Sequence, residues 1–243
     1  MIKTILVDLD DTLWATQQNN KEALRELYHH YGWERAYPSF DQLFAVYAPY
    51  NEWLWQEYRH NRISKQQLTR ERFQHFLEPL GQKSDEEIME MNAFFLERSA
   101  VKSGVIEGAH ALLRELKELY KIVVVSNGFK EVQQRKINSA QLGEFIDYII
   151  LSEDIGISKP HKGIFDYALS SSHTRRSEAI FLGDSWDADI LGCQNSGITA
   201  IWLNPAQTPP PTPLSSLRYP VYEVERLDEV PHLIRKLQMK VWK

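Results

Sequence analysis

Apolar positions fall along this chain in three textures. Thr4, Ile5, Leu6 and Val7 form a short aliphatic and β-branched run, as a buried strand shows. From about residue 16 to residue 100 no convincing strand pattern occurs, and apolar side chains recur at helical spacing. Leu24, Leu27, Tyr28 and Tyr31 lie at i, i+3, i+4 and i+7, one face of a helix. Residues 40–58 carry Leu43, Phe44, Tyr47, Trp53, Leu54 and Trp55, and Pro49 is expected to break or kink that helix. Ser64 with Gln67, and Ser84 with Glu87, read as capping boxes opening two more helices. Phe73, Phe76, Leu77 and Leu80 are the stripe of the first; Ile88, Met91 and Phe95 are that of the second. From residue 104 the texture changes again. Helical patterns at 105–119, 130–140, 163–171 and 187–196 alternate with strand patterns at 121–125, 147–151, 179–182 and 199–203. Residues 204–213 hold five prolines and read as a loop. A segment at 221–224 and a helix over 227–237 follow.

Strands alternating with helices in this way mean a parallel α/β sheet. The first strand belongs to the same sheet by its buried character. The chain therefore starts a Rossmann-like sheet, leaves it to build an all-helical domain, and returns. The expected organisation is a discontinuous α/β core of residues 1–14 and 104–243, with a helical insertion over 15–103.

Composition narrows the function classes. Apolar residues make up 43% and charged residues 25%, ordinary values for a globular protein. A net charge of −5 gives no basic footprint, so nucleic acid is not an expected partner. The one cysteine, Cys193, cannot form an intramolecular disulfide, which fits a reducing compartment. Its small and apolar neighbours suit a packed core thiol. The N-terminus lacks the pattern of a secretory signal, and no run of 18 apolar residues spans a membrane. A cytoplasmic protein without a membrane partner is expected.

Candidate chemistry sits at the strand ends. Asp8, Asp10, Asp11 and Thr12 come where the first strand leaves the sheet, and open parallel sheets bind ligands outside their carboxyl ends. Carboxylates this close repel unless a cation or a shared proton sits among them. Oxygen-rich sites suit Mg²⁺. Asp8 can then act as a nucleophile and Asp10 as a general acid/base. Taken alone the stretch also fits a capped turn. Three later strand ends add to it: Ser126, Asn127 and Gly128; Lys159 before Pro160; and Asp184 with Asp187 and Asp189. A hydroxyl, N–H groups at a tight turn and an ammonium suit a phosphate. Carboxylates from two strand ends suit a metal.

These motifs, in this order, resemble the haloacid-dehalogenase (HAD) superfamily: Asp8-Leu9-Asp10-Asp11-Thr12, Ser126, Lys159-Pro160, and Gly183-Asp184 through Asp189. The insertion is similar to that superfamily's C1 helical cap. Residues 54–59 with Ile63 and Ser64, 126–129, and 159–169 resemble its YjjG/YfnB-type 5′-nucleotidase branch. The resemblance implies a Mg²⁺-dependent phosphomonoesterase. In it Asp8 becomes an aspartyl-phosphate, and Asp10 protonates the leaving oxygen and then activates water. Thr12 braces the loop, Ser126 and the Asn127 backbone hold the phosphoryl oxygens, and Lys159 balances charge. Mg²⁺ is implied on Asp8, the Asp10 carbonyl and Asp184, with Asp187 or Asp189 in support; Asp189 is taken first. The implied substrate is a nucleoside 5′-monophosphate, a pyrimidine one foremost. Trp53, Trp55, Tyr58 and Phe129 are the aromatics that could stack on its base. A sugar-phosphate phosphatase, a phosphosugar mutase, a hydrolytic dehalogenase and a non-catalytic binding module are the rival readings. Acidic Asp10 together with Asp184 argues for phosphate over halide.

Overall fold

A computed structural model describes residues 1–60, 62–81 and 83–240. In chain order the elements are β1 (Thr4–Val7), α1 (Thr16–His30), α2 (Phe40–Arg59), α3 (Lys65–Leu77), α4 (Asp85–Ala100), α5 (Ala109–Lys117) and β2 (Lys121–Ser126). Then come α6 (Lys130–Ser139), β3 (Tyr148–Leu151), the single turn α7 (Ser152–Ile155), α8 (Lys162–Ser171) and β4 (Ala179–Gly183). The chain continues with α9 (Leu191–Ser196), β5 (Thr199–Leu203), β6 (Val221–Val224) and α10 (Val230–Lys240). They group into two compact units, residues 1–16 with 103–243, and residues 17–102.

In the first unit the strands form one parallel sheet ordered β3-β2-β1-β4-β5-β6. This is the α/β, Rossmann-like arrangement expected, with β1 at the point where winding reverses and a crevice opens. Both faces are buried, which is why the strands read as unbroken apolar runs. Alternate residues sort to opposite faces. Ile5, Val7, Ile122, Val124, Ile180 and Leu182 join Leu112, Leu116, Val230 and Ile234 on one side. Leu6, Val123, Val125 and Phe181 join Ile164, Phe165, Leu169 and Cys193 on the other. Each fully buried aliphatic side chain contributes about 1.5–3 kcal/mol. Register is fixed at the strand end rather than by apolar alternation. A one-residue slip of β1 would draw the Asp8 carboxylate between apolar layers, at heavy desolvation cost. In the observed register Val7 pairs with Val124 and Leu182. Cys193 is buried, as expected of a packed thiol.

The second unit is helical, with Leu24, Leu27, Tyr28, Leu43, Tyr47, Phe73, Phe76, Ile88 and Phe95 in its core. Pro49 does not end α2, which runs unbroken from Phe40 to Arg59. A missing N–H costs one helical bond there, and the buried face of Leu43, Tyr47 and Leu54 outweighs it. The Ser84–Glu87 box is complete. At Ser64 only half of one forms: Ser64 accepts from the Gln67 N–H at 3.1 Å, while the Gln67 side chain donates to Glu71. Two boundaries in the first unit differ from the periodicity. Helix α5 begins at Ala109 because Gly108 takes φ 86°, and Val105 instead bridges to Trp14. The stretch after Asp184 opens as a π turn over Trp186–Ile190 before α9 begins. No described helix is long and apolar enough to cross a membrane.

Candidate active site

The carboxyl ends of β1, β2 and β4 bring the candidate residues of the first unit together. Asp8 directly follows β1, and its N–H donates to the Leu182 carbonyl at 2.9 Å. The chain then turns sharply. Asp11 sits at φ 60°, a conformation that Asp tolerates better than most residues, and its N–H donates to the Trp14 carbonyl. The Leu13 and Trp14 amides both donate to the Leu9 carbonyl. Leu9, Leu13 and Trp14 are fully buried and anchor the turn. Thr12, also buried, donates its hydroxyl to Asp184 Oδ1 at 2.8 Å.

Lys159, joined to Pro160 by a cis peptide bond, is 2% exposed. Its ammonium lies 2.5 Å from Asp8 Oδ1 and 2.8 Å from Asp189 Oδ1. Asn127 fixes this lysine's backbone from the neighbouring strand end. The Lys159 N–H donates to Asn127 Oδ1, and Asn127 Nδ2 donates to the Lys159 carbonyl, each at 2.9 Å. Burial alone would push the ammonium's pKa down, but the Asp189 and Asp8 carboxylates outweigh it and raise it.

Of the two acids left open by the sequence, Asp189 is the one in the site. It is fully buried, while Asp187 is exposed. The π turn makes this difference, since the Asp189 and Ile190 amides both donate to the Ser185 carbonyl. The widened turn tucks the Asp189 carboxylate against Gly183, where the Ser185 N–H donates to its Oδ2 at 3.1 Å. A Cβ on Gly183 would overlap that carboxylate, so the glycine preceding Asp184 is a steric requirement.

Asp8, Asp184 and Asp189 each offer an oxygen within 4.8 Å of the others. Among the central groups four carboxylates, Asp8, Asp10, Asp184 and Asp189, face two ammoniums, Lys159 and Lys136. Negative charge is thus in excess, and a bound cation would relieve it. The titration directions agree with this imbalance. Burial raises Asp8 well above the usual carboxylate range; Lys159 opposes this, and Asp189, Asp184 and Asp10 add to it. Burial, then the Asp189 charge, push Asp184 up to about 7. The donor set is all oxygen, which fits a hard cation such as Mg²⁺.

Asp10 behaves oppositely. Burial would raise it, but Lys136, with hydrogen bonds from Gln133 and Thr16, brings it below its ordinary value. Its Oδ1 accepts from Thr16 Oγ1 at 2.8 Å and Lys136 Nζ at 2.6 Å. Its Oδ2 accepts from Gln133 Nε2 at 2.6 Å and Ser126 Oγ at 3.3 Å. Ser126 Oγ also accepts from the Gly128 N–H at 3.0 Å and from Gln133 Nε2 at 2.6 Å. The hydroxyl proton of Ser126 therefore faces Asp10, and the Gly128 amide closes the turn. A Cβ on Gly128 would overlap the Gln133 amide.

Sequence reasoning missed Thr16, Gln133 and Lys136. A signal existed in α6: Gln133 and Lys136 sit between Val132 and Ile137 on the one stripe that α6 buries. Polar residues inside an apolar stripe are the informative exception. Of the proposed base-stacking aromatics, Phe129 is 2% exposed and offers almost no surface. In the helical unit Trp53 is 45% exposed beside Tyr50, and Trp55 meets Tyr58 edge-on at 5.8 Å between centroids.

Comparison with known proteins bears directly on this geometry. A profile of haloacid dehalogenase-like hydrolases matches residues 2–197. The pyrimidine 5′-nucleotidase YjjG of Escherichia coli is 30% identical over 233 residues, 96% of this chain and 97% of that protein. The pyrimidine 5′-nucleotidase PynA of Streptococcus pneumoniae is 29% identical over 206 residues, 84% of each chain. The crystal structure of the HAD-hydrolase YfnB from Bacillus subtilis, bound to magnesium, superposes with a TM-score of 0.84 at 26% identity. That match covers 96% of this chain and 99% of YfnB.

Proposed function

The chain belongs to the haloacid dehalogenase-like hydrolases, and within them we propose that it is a Mg²⁺-dependent phosphomonoesterase whose nucleophile is Asp8. The observation that carries this reading is the contrast between two acids two residues apart. Asp8 lies against Lys159 in an acidic cluster, while Asp10 is held by four donors at the edge of the same site. The assigned roles need Asp8 ionised and Asp10 protonated at the first step, so a bound cation must bring Asp8 down and the incoming phosphate must bring Asp10 up.

Asp8 attacks phosphorus, and the alcohol oxygen leaves with a proton from Asp10. An aspartyl-phosphate results. Asp10 then takes a proton from the water that hydrolyses it. Ser126 turns its hydroxyl from Asp10 to a phosphoryl oxygen, the backbone at Asn127 holds another, and Lys159 balances their charge. Asp8, Asp184 and the Asp10 carbonyl would hold Mg²⁺, with Asp189 in support; the ion supplies charge neutralisation to an anionic carboxylate meeting an anionic phosphate. Thr12 steadies Asp184. The helical unit, residues 17–102, acts as the cap domain of this reading.

Turnover of para-nitrophenyl phosphate is expected to vanish in excess chelator and return with Mg²⁺. Full activity in chelator would remove the metal from the account. Metal binding must also compete with protons. Because Asp184 titrates near 7 in the metal-free protein, Mg²⁺ affinity should fall as pH drops from about 7.5 to 5.5, by roughly tenfold per unit for one displaced proton. Calorimetric titration in buffers of different ionisation heat reads both affinity and proton release. A pH-independent affinity across that range would contradict it.

The proposed substrate is a nucleoside 5′-monophosphate, pyrimidine ones foremost. This rests on the two nucleotidase relatives, each matched over most of its length. A good ring stack is worth about 1 kcal/mol or slightly more. Uridine or thymidine 5′-monophosphate should therefore exceed ribose 5-phosphate in kcat/KM by at least ~10-fold, about 1.4 kcal/mol. Equal values would remove the nucleotide preference and leave the phosphatase chemistry standing.

A further inference from the structure

We infer that Lys136 and Gln133, on one face of α6, are positioning residues that aim the Asp10 carboxyl at the leaving oxygen. The inference rests on the phosphomonoesterase reading above. A carboxylate has about four lone-pair positions; in Asp10 Thr16 and Lys136 take those on Oδ1 and Gln133 takes one on Oδ2, while the longest contact, Ser126 at 3.3 Å, holds the position that a leaving oxygen would take when Ser126 turns to phosphate. Two of these donors come from α6, one helical turn apart, at 2.6 Å each.

The arrangement is held from behind. The Lys136 ammonium stacks over the Trp14 ring, 4.5 Å from its centroid, while Trp14 itself is fully buried. Lys136 is 7% exposed, and Gln133 is fully buried. Gln133 Nε2 reaches both Asp10 Oδ2 and Ser126 Oγ, so it ties the proton donor's position to the phosphate loop's. Gly128 leaves the room that the Gln133 amide occupies. A largely buried ion pair such as Lys136–Asp10 contributes little net stability compared with packed apolar residues. Its four-donor geometry instead restricts where the Asp10 oxygens can point. Lys136 and Gln133 touch no reacting atom in this scheme; Lys136 acts through Asp10, and Gln133 through Asp10 and Ser126.

Such a role has a signature that a general structural role lacks. A nitrophenolate leaves without a proton, whereas an alkyl alkoxide needs one. The value of kcat/KM reports the steps up to departure of the leaving group. Compare Lys136→Met, Lys136→Arg, Gln133→Met and Asp10→Asn on para-nitrophenyl phosphate and uridine 5′-monophosphate, with glycerol 2-phosphate as a second alkyl ester. Lys136→Met is expected to lower kcat/KM for the alkyl esters by roughly 10²-fold, the cost of misplacing a catalytic group by about 1 Å. For the nitrophenyl ester the loss should stay below about fivefold, since no proton is required. Gln133→Met should again lower the alkyl esters more than the nitrophenyl ester, with a further loss common to all three through Ser126, which keeps the test open should Lys136→Met fold poorly. Lys136→Arg should recover most of the alkyl-ester activity. Asp10→Asn with Lys136→Met should be no worse than Asp10→Asn alone, because both act through one carboxyl. Equal losses on both ester types, or additive losses in the double variant, overturn the inference while leaving the phosphatase reading intact. Hydrolysis of none of the three esters by the unmodified enzyme overturns both.

Discussion

Asp8→Asn is expected to abolish phosphomonoester turnover, by at least about 10⁴-fold as for loss of a covalent nucleophile, while the metal-free protein becomes no less stable. The second half follows from the electrostatics. Asp8 is buried, and its pKa in the fold lies above its ordinary value even with Lys159 beside it. A carboxyl raised in this way binds more protons folded than unfolded. Its charged form is therefore a liability that grows as pH rises from about 4 through the folded value. An amide removes the charge and keeps the shape, and Lys159 keeps Asp189 as its partner. Unfolding at pH 8 without Mg²⁺ should show an unchanged or slightly higher midpoint for Asp8→Asn. A gain of 1 kcal/mol would appear as about 2–4 °C in a chain of this size. The Mg²⁺-induced shift of the midpoint should shrink, because one donor is gone. A variant clearly less stable than the parent at pH 8 without metal would mean that Asp8 serves packing rather than chemistry.

Lys159→Met is expected to reverse that balance. Its ammonium, 2% exposed, is the shared cation of Asp8 and Asp189. Removing one partner of a buried ion pair costs about 3–5 kcal/mol, because the remaining charge stays desolvated. Here two carboxylates are stranded at once. Lys159 itself is raised above its ordinary value, so its contribution is fully present at all assay pH values and would fade only in strong alkali. The penalty in the variant has its own pH dependence. Stranded Asp8, already raised above its ordinary value, can take up a proton, so destabilisation should be largest near pH 8 and shrink towards pH 5. Mg²⁺ should restore part of the stability. Turnover should fall by at least about 10²-fold, as when one donor to a developing charge is lost. Urea unfolding at pH 5, 6.5 and 8 measures this. A penalty below about 1 kcal/mol at pH 8 would contradict the shared-cation account.

Much of this is legible in the sequence, and for specific physical reasons. Strands β1, β2 and β4 are buried on both faces, so each appears as an unbroken apolar run ending in a chemical residue: Asp8, Ser126 and, just past Gly183, Asp184. The sheet itself then brings those ends together. What stayed hidden depended on which way a side chain points. Gln133 and Lys136 lie in a helix whose composition is polar, and polar helix residues ordinarily face water. Their burial follows from Asp10 lying opposite, a pairing 123 and 126 residues away in sequence. Asp187 and Asp189 were indistinguishable because a regular helix start and a π turn share the same residues, and only the turn decides which carboxylate goes inward. The periodicity starts α5 four residues early because Val105 has helical spacing but bridges to Trp14. Pro49 misled because its local cost is small against the buried stripe of α2.

The most direct test of the central claim is to find the phosphoryl group on the protein. The enzyme with Mg²⁺ is mixed with saturating para-nitrophenyl phosphate, quenched during steady-state turnover and reduced with borohydride, which converts an acyl phosphate of aspartate to homoserine. Peptide mass analysis then reads which aspartate was modified. The account requires homoserine at position 8, absent without substrate and absent in Asp8→Asn. Homoserine at the position of Asp10, Asp184 or Asp189, or undiminished turnover by Asp8→Asn with no reducible adduct, would contradict it.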